Sequence, residues 1–207
     1  MLIENFFEEV IKNFSYAGIF FILFLESLPF IGIILPGGLF FIFFVGILSR
    51  VGYLNPIISF IICFIASVSA DLTGYFIGKK KGESIIKKSS EIFFIDKVFF
   101  NKIANISKNN PKKTSLLGKF NPFSRSIVPF IHGMKNLNKK YFIFLSLIGS
   151  FFCVGIFWGI GFILGKGIKT AKYINKMLFL YTLILMILIY SYIFLRKIIK
   201  NKNGFNK

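Results

Sequence analysis

The sequence predicts an all-α, polytopic membrane protein with about four full transmembrane helices and two re-entrant hairpins in an inverted repeat. The chain is 55% hydrophobic with a mean hydropathy of +0.72, which is too apolar for a soluble domain of 207 residues. Several of its apolar runs reach the length of a membrane span. Two runs are broken by prolines, and one carries an arginine, which costs at least about 2.5–3.5 kcal/mol in a lipid-facing helix.

The N-terminal part contains an interfacial helix, a full span and a hairpin. Residues 1–13 place apolar side chains at helical spacing among Glu and Asn, which predicts an amphipathic helix lying at the interface. Residues 14–48 are too long for one span and too short for two. We therefore predict a full helix over about 14–28 and a re-entrant hairpin over 29–49. The interrupting residues are Glu26, Pro29, Pro36 and Gly37.

The remaining segments alternate apolar spans with basic connections. Residues 53–78 predict a second span, which Lys79 to Lys81 end. The lysine-rich loop 79–114 is cytoplasmic by the positive-inside rule. The other predicted segments of this single membrane domain, 1–207, are a second re-entrant hairpin at 116–134, spans at 141–165 and 177–195, and a basic cytoplasmic tail at 196–207. Both termini are then cytoplasmic.

The two broken segments look like copies of one another. Each has a Pro-Phe pair, a second proline seven residues after the first, and then glycine. Broken backbone persists at membrane depth only where protein buries it or water reaches it, so these segments should line a pathway. Because the hairpins enter from opposite faces, the copies are inverted. The hairpin backbone residues are Pro29, Pro36, Gly37, Pro122, Pro129 and Gly133.

Four charged residues lie inside the apolar segments. Arg125 and Lys119 suit a phosphate, the first by a bidentate fork and the second as a point charge. Glu26 and Asp71 are the acids that could titrate and carry an ion. If the hairpin tips meet, Glu26 should face the two cations. The alternative is that the four residues form buried ion pairs that only fix helix register.

The remaining patterns exclude other classes of function. The net charge of +18 comes from lysines between the apolar spans, which is typical of membrane-flanking charge and argues against nucleic acid. No nucleophile–base pair, metal cluster or phosphate-binding glycine loop is visible, so we expect no enzyme activity and no cofactor. Three GxxxG spacings predict close helix packing, with a homodimer as the weaker alternative. They are Gly74 with Gly78, Gly155 with Gly159, and Gly161 with Gly165.

Three passages resemble the DedA family, the bacterial branch of the SNARE-associated-Golgi-protein type. The first runs from Glu26 through Pro29 to Leu35-Pro36-Gly37. The second is Ala70-Asp71-Leu-Thr-Gly74-Tyr75-Phe-Ile-Gly78. The third, Gly118-Lys119-Phe-Asn-Pro122-Phe-Ser-Arg125-Ser-Ile-Val-Pro129-Phe-Ile-His-Gly133-Met134, is similar to the family's arginine-and-proline signature. The resemblance covers about residues 10–195.

The resemblance implies a flippase or scramblase with two inward hairpins. Bacterial members are implicated in returning undecaprenyl phosphate across the cytoplasmic membrane, coupled to proton or sodium gradients. Carried onto this chain, Arg125 would bind the phosphate and Glu26 would be the coupling acid, with Asp71 a weaker candidate. The chain departs from the family at Gly38, where an acid is common, and at Lys119, where arginine is common. The first departure removes an acid on which ion coupling would rest.

We therefore expect a lipid transporter of the bacterial cytoplasmic membrane that moves undecaprenyl phosphate or a related phospho-lipid between leaflets. The alternatives are a phospholipid scramblase, an ion-coupled small-solute antiporter and a membrane structural or assembly protein. The membrane lipid and a proton or sodium ion are the expected partners.

Overall fold

In a computed structural model, every regular element of the described residues is a helix. The described residues are 2–29, 37–92, 104–107 and 109–167 for the backbone, with side chains described from residue 15 onward except at 83, 84, 86–92, 122 and 123. Residues Met1–Lys166 form one compact unit. The helices are α1 (Leu2–Ser27), α2 (Gly38–Val51), α3 (Pro56–Ile92), α4 (Pro111–Leu117), α5 (Pro122–Met134) and α6 (Lys139–Leu164), with 3-10 turns at Gly118–Phe120 and Gly165–Gly167.

Two described helices are long and apolar enough to cross a membrane, judged by length and composition. They cover Pro56–Gly82 and Lys139–Gly167, where the sequence predicts the second and third spans. The lysines that end the predicted second span do not end the helix, since α3 continues to Ile92. Charged side chains end an apolar stretch, but Lys and Glu are good helix formers, so the backbone hydrogen bonding goes on. The predicted fourth span and the basic tail lie outside the described residues.

The N-terminal segments form one continuous helix. α1 covers both the predicted interfacial helix and the predicted first span, and its apolar part is Ser15–Ser27. The interfacial position of residues 1–13 stays a prediction. Residues 30–36 of the first predicted hairpin lie outside the described residues, and α2 supplies the rest of it. α2 ends at Val51 and is followed by Gly52, whose φ of 95° places it in the left-handed region that glycine tolerates best.

The second broken segment consists of two helices with a break between them. The 3-10 turn Gly118–Phe120 follows α4, and the extended Asn121 leads into α5. Pro122 begins α5, where its missing N–H costs nothing. Pro129 was expected to break the helix, but it lies inside α5. Its ring packs toward Gly74, where a Cβ would lie 3.3 Å from the Pro129 Cβ, so packing against α3 compensates for the lost hydrogen bond.

Glycines bring the helices together in two pairs. In each pair a glycine on either helix faces a backbone carbonyl of the other so closely that any Cβ would collide with it. Such contacts need small residues on both sides. The α2–α6 pair joins Gly46 to Trp158 and Gly161 to Phe43, and the α3–α5 pair joins Gly78 to Phe130 and Gly133 to Tyr75. Two of the three predicted GxxxG faces are therefore packing faces, whereas Gly155 and Gly159 have no described atom within 4 Å of a Cβ position.

Apolar side chains cover the outside of the long helices as well as the interior. One core cluster joins α1, α2, α3 and α6 around Leu23 and Ile42, and another surrounds Ile131 on α5. The outward faces carry large exposed hydrophobic residues, as expected for contact with lipid. They include Ile57, Ile61, Ile65, Phe144, Phe151, Phe152, Ile156, Ile160 and Ile163.

Candidate functional site

The four charged residues singled out in the sequence lie around one buried polar cluster. Asp71 comes from the middle of α3, Lys119 from the 3-10 turn before α5, and Arg125 from the first turns of α5. Asp71, Lys119 and Arg125 are 2%, 5% and 5% exposed. Glu26 reaches the cluster from the end of α1. Charges buried this deeply need partners, so the question is how they are paired.

Lys119 and Asp71 form a direct ion pair. Lys119 Nζ donates to Asp71 Oδ2, and the hydroxyl of Ser146 donates to the same oxygen. Lys119 Nζ also donates to Ser150 Oγ at 2.7 Å. The lysine chain passes over Gly149, where a Cβ would lie 2.9 Å from Lys119 Cδ. The bare backbone of α6 at this position thus makes room for the pair.

Only some of the hydrogen-bond donors of Arg125 have partners among the described residues. Its Nη2 lies 3.5 Å from Ser67 Oγ, and Ser67 Oγ lies 3.2 Å from Ser150 Oγ, which connects the guanidinium to the Lys119–Asp71 pair. Its Nη1 is buried and has no hydrogen-bond partner in the part of the chain that the structure describes. A buried charged donor without a partner is costly, so the unpaired Nη1 calls for an explanation, of which a bound ligand is one.

The carboxylate of Glu26, a residue of α1, lies next to the N-terminus of α2, on the same side of the cluster as Arg125. The backbone N–H of Gly37 donates to Glu26 Oε1. A Cβ at Gly38 would lie 3.2 Å from Arg125 Nη1 and 3.3 Å from Glu26 Oε2, so both charged groups face the same backbone position. Glu26 therefore faces Arg125, while Lys119 is taken up by Asp71.

The hairpin residues surround this cluster. Pro129 and Pro29 both approach Gly74, one turn after Asp71 on α3, with contacts of 3.3 and 3.4 Å to a Cβ placed there. The two broken segments therefore meet on α3, next to the charges. Gly133 packs against Tyr75, and Pro36 lies outside the described residues.

Three serines, which are not among the residues predicted from the sequence, complete the network. They are Ser67, Ser146 and Ser150, which are buried and hydrogen-bonded to the charged side chains. Ser146 and Ser150 are four residues apart and so share a face of α6, inside a run that is otherwise almost entirely apolar. That spacing within a span is the signal that could have identified them.

A small cavity opens onto the cluster. It is lined by Asp71, Lys119, Arg125, Ser115 and Ser146 among others, and its space for water-sized groups is about 10 Å³. That is room for about one water molecule. The site as it stands is closed, and a phosphate group would need the surrounding helices or side chains to move.

Comparison with known proteins places this arrangement among membrane proteins. The VTT domain family matches residues 35–163, a range that contains Asp71, Lys119 and Arg125 and begins after Glu26. An uncharacterized membrane protein of Buchnera aphidicola subsp. Baizongia pistaciae is 31% identical over 159 residues, which are 73% of this chain and 61% of that protein.

Two further relatives match a shorter part. An uncharacterized membrane protein of Mycobacterium tuberculosis is 30% identical over 97 residues, 47% of this chain and 40% of the relative. Protein DedA of Escherichia coli K12 is 27% identical over 101 residues, 49% of this chain and 46% of the relative. The matches thus span about two fifths to three fifths of the relatives' length. No solved structure matches the chain.

Proposed function

The chain belongs to the VTT-domain family of membrane proteins, which includes the DedA proteins, and from that premise we propose that it is a lipid transporter. Its substrate is undecaprenyl phosphate or a related phospho-lipid, which it moves between the leaflets of the bacterial cytoplasmic membrane. A proton or sodium gradient drives the movement, both termini are cytoplasmic, and no covalent bond of the lipid is broken.

The observation that carries this proposal is the buried, incompletely paired guanidinium of Arg125. A structural arginine would be expected to use all of its donors, since leaving one unmet in an apolar interior is unfavourable. Arg125 Nη1 has no hydrogen-bond partner among the described residues and faces the backbone of Gly38, which Glu26 also approaches. A phosphate supplies the oxygens that such a donor needs.

A lipid is favoured over a small solute by the surroundings of the site. The helices around it expose apolar side chains outward, so acyl or prenyl tails can remain in the bilayer while the head group enters. The cavity has room for about one water molecule, so transport of a phosphate group would require the site to open.

Within the proposal, the two acids have different roles. Glu26 lies beside Arg125 and is the coupling acid, because a bound phosphate would change the charge next to it. Asp71 is bound to Lys119, so Lys119 contributes to phosphate binding only when Asp71 releases it.

The structural alternative is favoured by that same Lys119–Asp71 pair. A buried ion pair with hydrogen bonds from Ser146 and to Ser150 is the arrangement expected of residues that only fix the register of the helices. This alternative applies to the pair and leaves Arg125 Nη1 unexplained. Measurements of transport and of stability, made on variants of the Lys119–Asp71 pair and of Arg125, distinguish the transporter from a structural protein.

The test is transport of the head group in proteoliposomes, with undecaprenyl phosphate compared with ordinary phospholipids. Arg125→Ala should reduce transport of the polyprenyl phosphate at least about tenfold, since one charged hydrogen bond is worth about 1.5–3 kcal/mol. Arg50→Ala is the matched control, because Arg50 is exposed at the end of α2 and stacks on Phe162 at 5.0 Å. A pH gradient imposed on wild type and Glu26→Gln tests coupling.

Each outcome decides between the functions named above. Normal transport by folded Arg125→Ala refutes the phosphate site. Transport of phospholipids alone makes the protein a scramblase. If folded wild-type protein moves no lipid, the protein is better explained as a membrane structural or assembly protein.

A further inference from the structure

The beginning of α2 is an anion-binding position that a carboxylate from another helix already occupies. α2 has no acidic residue in its own first turn. Glu26 of α1 fills that role, since its Oε1 accepts the N–H of Gly37 and its Oε2 lies 3.3 Å from a Cβ position on Gly38. The N-terminus of a helix carries free N–H groups and partial positive charge, which attract anions.

Arg125 faces the same position from the opposite side. Its Nη1 lies 3.2 Å from the Gly38 Cβ position, while its Nη2 is directed toward Ser67. The side chain is 5% exposed, and Nη1 has no partner among the described residues. The site therefore contains an unmet, deeply buried donor in addition to the helix N-terminus.

We propose that, without substrate, the Glu26 carboxylate occupies the position at which the substrate's phosphate binds. The phosphate monoester of the lipid then displaces Glu26 and binds between the α2 N-terminus and Arg125. This proposal rests on the proposed function and adds where the phosphate sits and what it replaces.

The geometry favours phosphate over a carboxylate as the final occupant. A carboxylate has two oxygens, and in the present arrangement they leave Nη1 unmet. A phosphate monoester has three free oxygens, enough for the Gly37 N–H and for both guanidinium nitrogens at once. Gly38 allows this occupant to approach, because any side chain there would stand between the arginine and the glutamate.

Glu26 is then a competitor of the substrate as well as its neighbour. Two anions cannot share one small buried position without strong repulsion, so the carboxylate must leave or become neutral when phosphate binds.

The test measures phosphate binding by the purified full chain in detergent micelles. The probes are inorganic phosphate and geranyl phosphate, and the readout is the dissociation constant by isothermal titration calorimetry. Glu26→Gln keeps an oxygen for the Gly37 N–H but loses the charge, and should bind geranyl phosphate about tenfold more tightly. Gly38→Ala should abolish that gain. Gly18→Ala, with no atom within 4 Å of its Cβ position, is the matched control and should leave it unchanged.

A second measurement keeps the test decisive if a variant folds poorly. Glu26→Ala leaves the Gly37 N–H without its partner, so phosphate should raise the melting temperature of this variant more than that of wild type. An equal shift in both proteins refutes displacement.

The results separate this inference from the proposed function. If Glu26→Gln binds no more tightly while lipid transport still depends on Arg125, displacement is wrong and the transporter stands. If Glu26→Gln binds inorganic phosphate but not geranyl phosphate, the anion site stands and the lipid assignment falls, together with the proposed function.

Discussion

Replacing Lys119 by methionine should destabilise the protein strongly, because it leaves the Asp71 charge buried. In the present structure that carboxylate is held by Lys119 Nζ and Ser146 Oγ. Methionine fills the space of the lysine chain beside Gly149 but removes the positive charge. Removing one partner of a buried ion pair costs about 3–5 kcal/mol, and we expect Lys119→Met to fall in that range.

The partner substitution should recover much of this loss. Asp71→Asn in the Lys119→Met background removes the unpaired charge and keeps an oxygen for Ser146. We therefore expect a coupling free energy of about 2 kcal/mol between the two substitutions. Lys135→Met, at an exposed lysine after α5, is the control and should change stability by less than about 0.5 kcal/mol.

The assay is equilibrium unfolding in mixed micelles, followed by the fluorescence of Trp158. This is the one tryptophan of the chain, and it donates to Ser59 at 3.2 Å and lies at the crossing of the α2–α6 pair. Additive costs for the two substitutions would refute the pairing argument. A loss of transport in the double variant with recovered stability would show that the pair acts in transport as well as in folding.

Three further predictions concern packing, capping and charge geometry. Gly161→Ala should destabilise the protein by about 1–3 kcal/mol, because the added methyl collides with the carbonyl of Phe43. Gly155→Ala should be near neutral in the same unfolding assay. Equal effects of the two substitutions would contradict the close packing of α2 against α6. Asn138→Ala should cost about 1 kcal/mol, since the Asn138 side chain accepts the N–H groups of two residues in the first turn of α6, and Asn138→Asp should retain most of that stability. Arg125→Lys should transport less than wild type but more than Arg125→Ala, because it keeps the charge and loses the fork; transport equal to wild type would mean that charge alone suffices.

Local features of the fold could be read from the sequence because they depend on near neighbours. The apolar runs predict α3 and α6. Pro122, which the sequence predicts as a break in a hairpin, begins α5. Two glycine spacings correctly predict packing faces. The lysines after Gly78 were misleading, because they mark the end of an apolar stretch and say little about whether the helix goes on.

Which acid pairs with which cation could not be predicted from the sequence in the same way. Asp71 and Lys119 are separated by 48 residues, and neither has a local feature that selects the other. Arg125 and Lys119 are near each other in sequence, which suggests one cationic pair, but Lys119 binds Asp71 whereas Arg125 Nη1 faces Gly38. Which acid meets which cation depends on how the helices cross, and that depends on long-range packing.

The distribution of polar contacts between the two helix pairs has a mechanical consequence. Inside each pair, backbone lies against glycine, and such contacts cannot separate without leaving a void. Between the pairs, Asp71 bonds Ser146, Ser67 bonds Ser150, and Arg125 faces Gly38. Water can replace hydrogen bonds of this kind, but it cannot replace close apolar packing. The two pairs also share apolar contacts, such as Phe60 with Trp158 and Tyr75 with Phe142. The part of their interface that water could enter is therefore the part around Asp71 and Arg125.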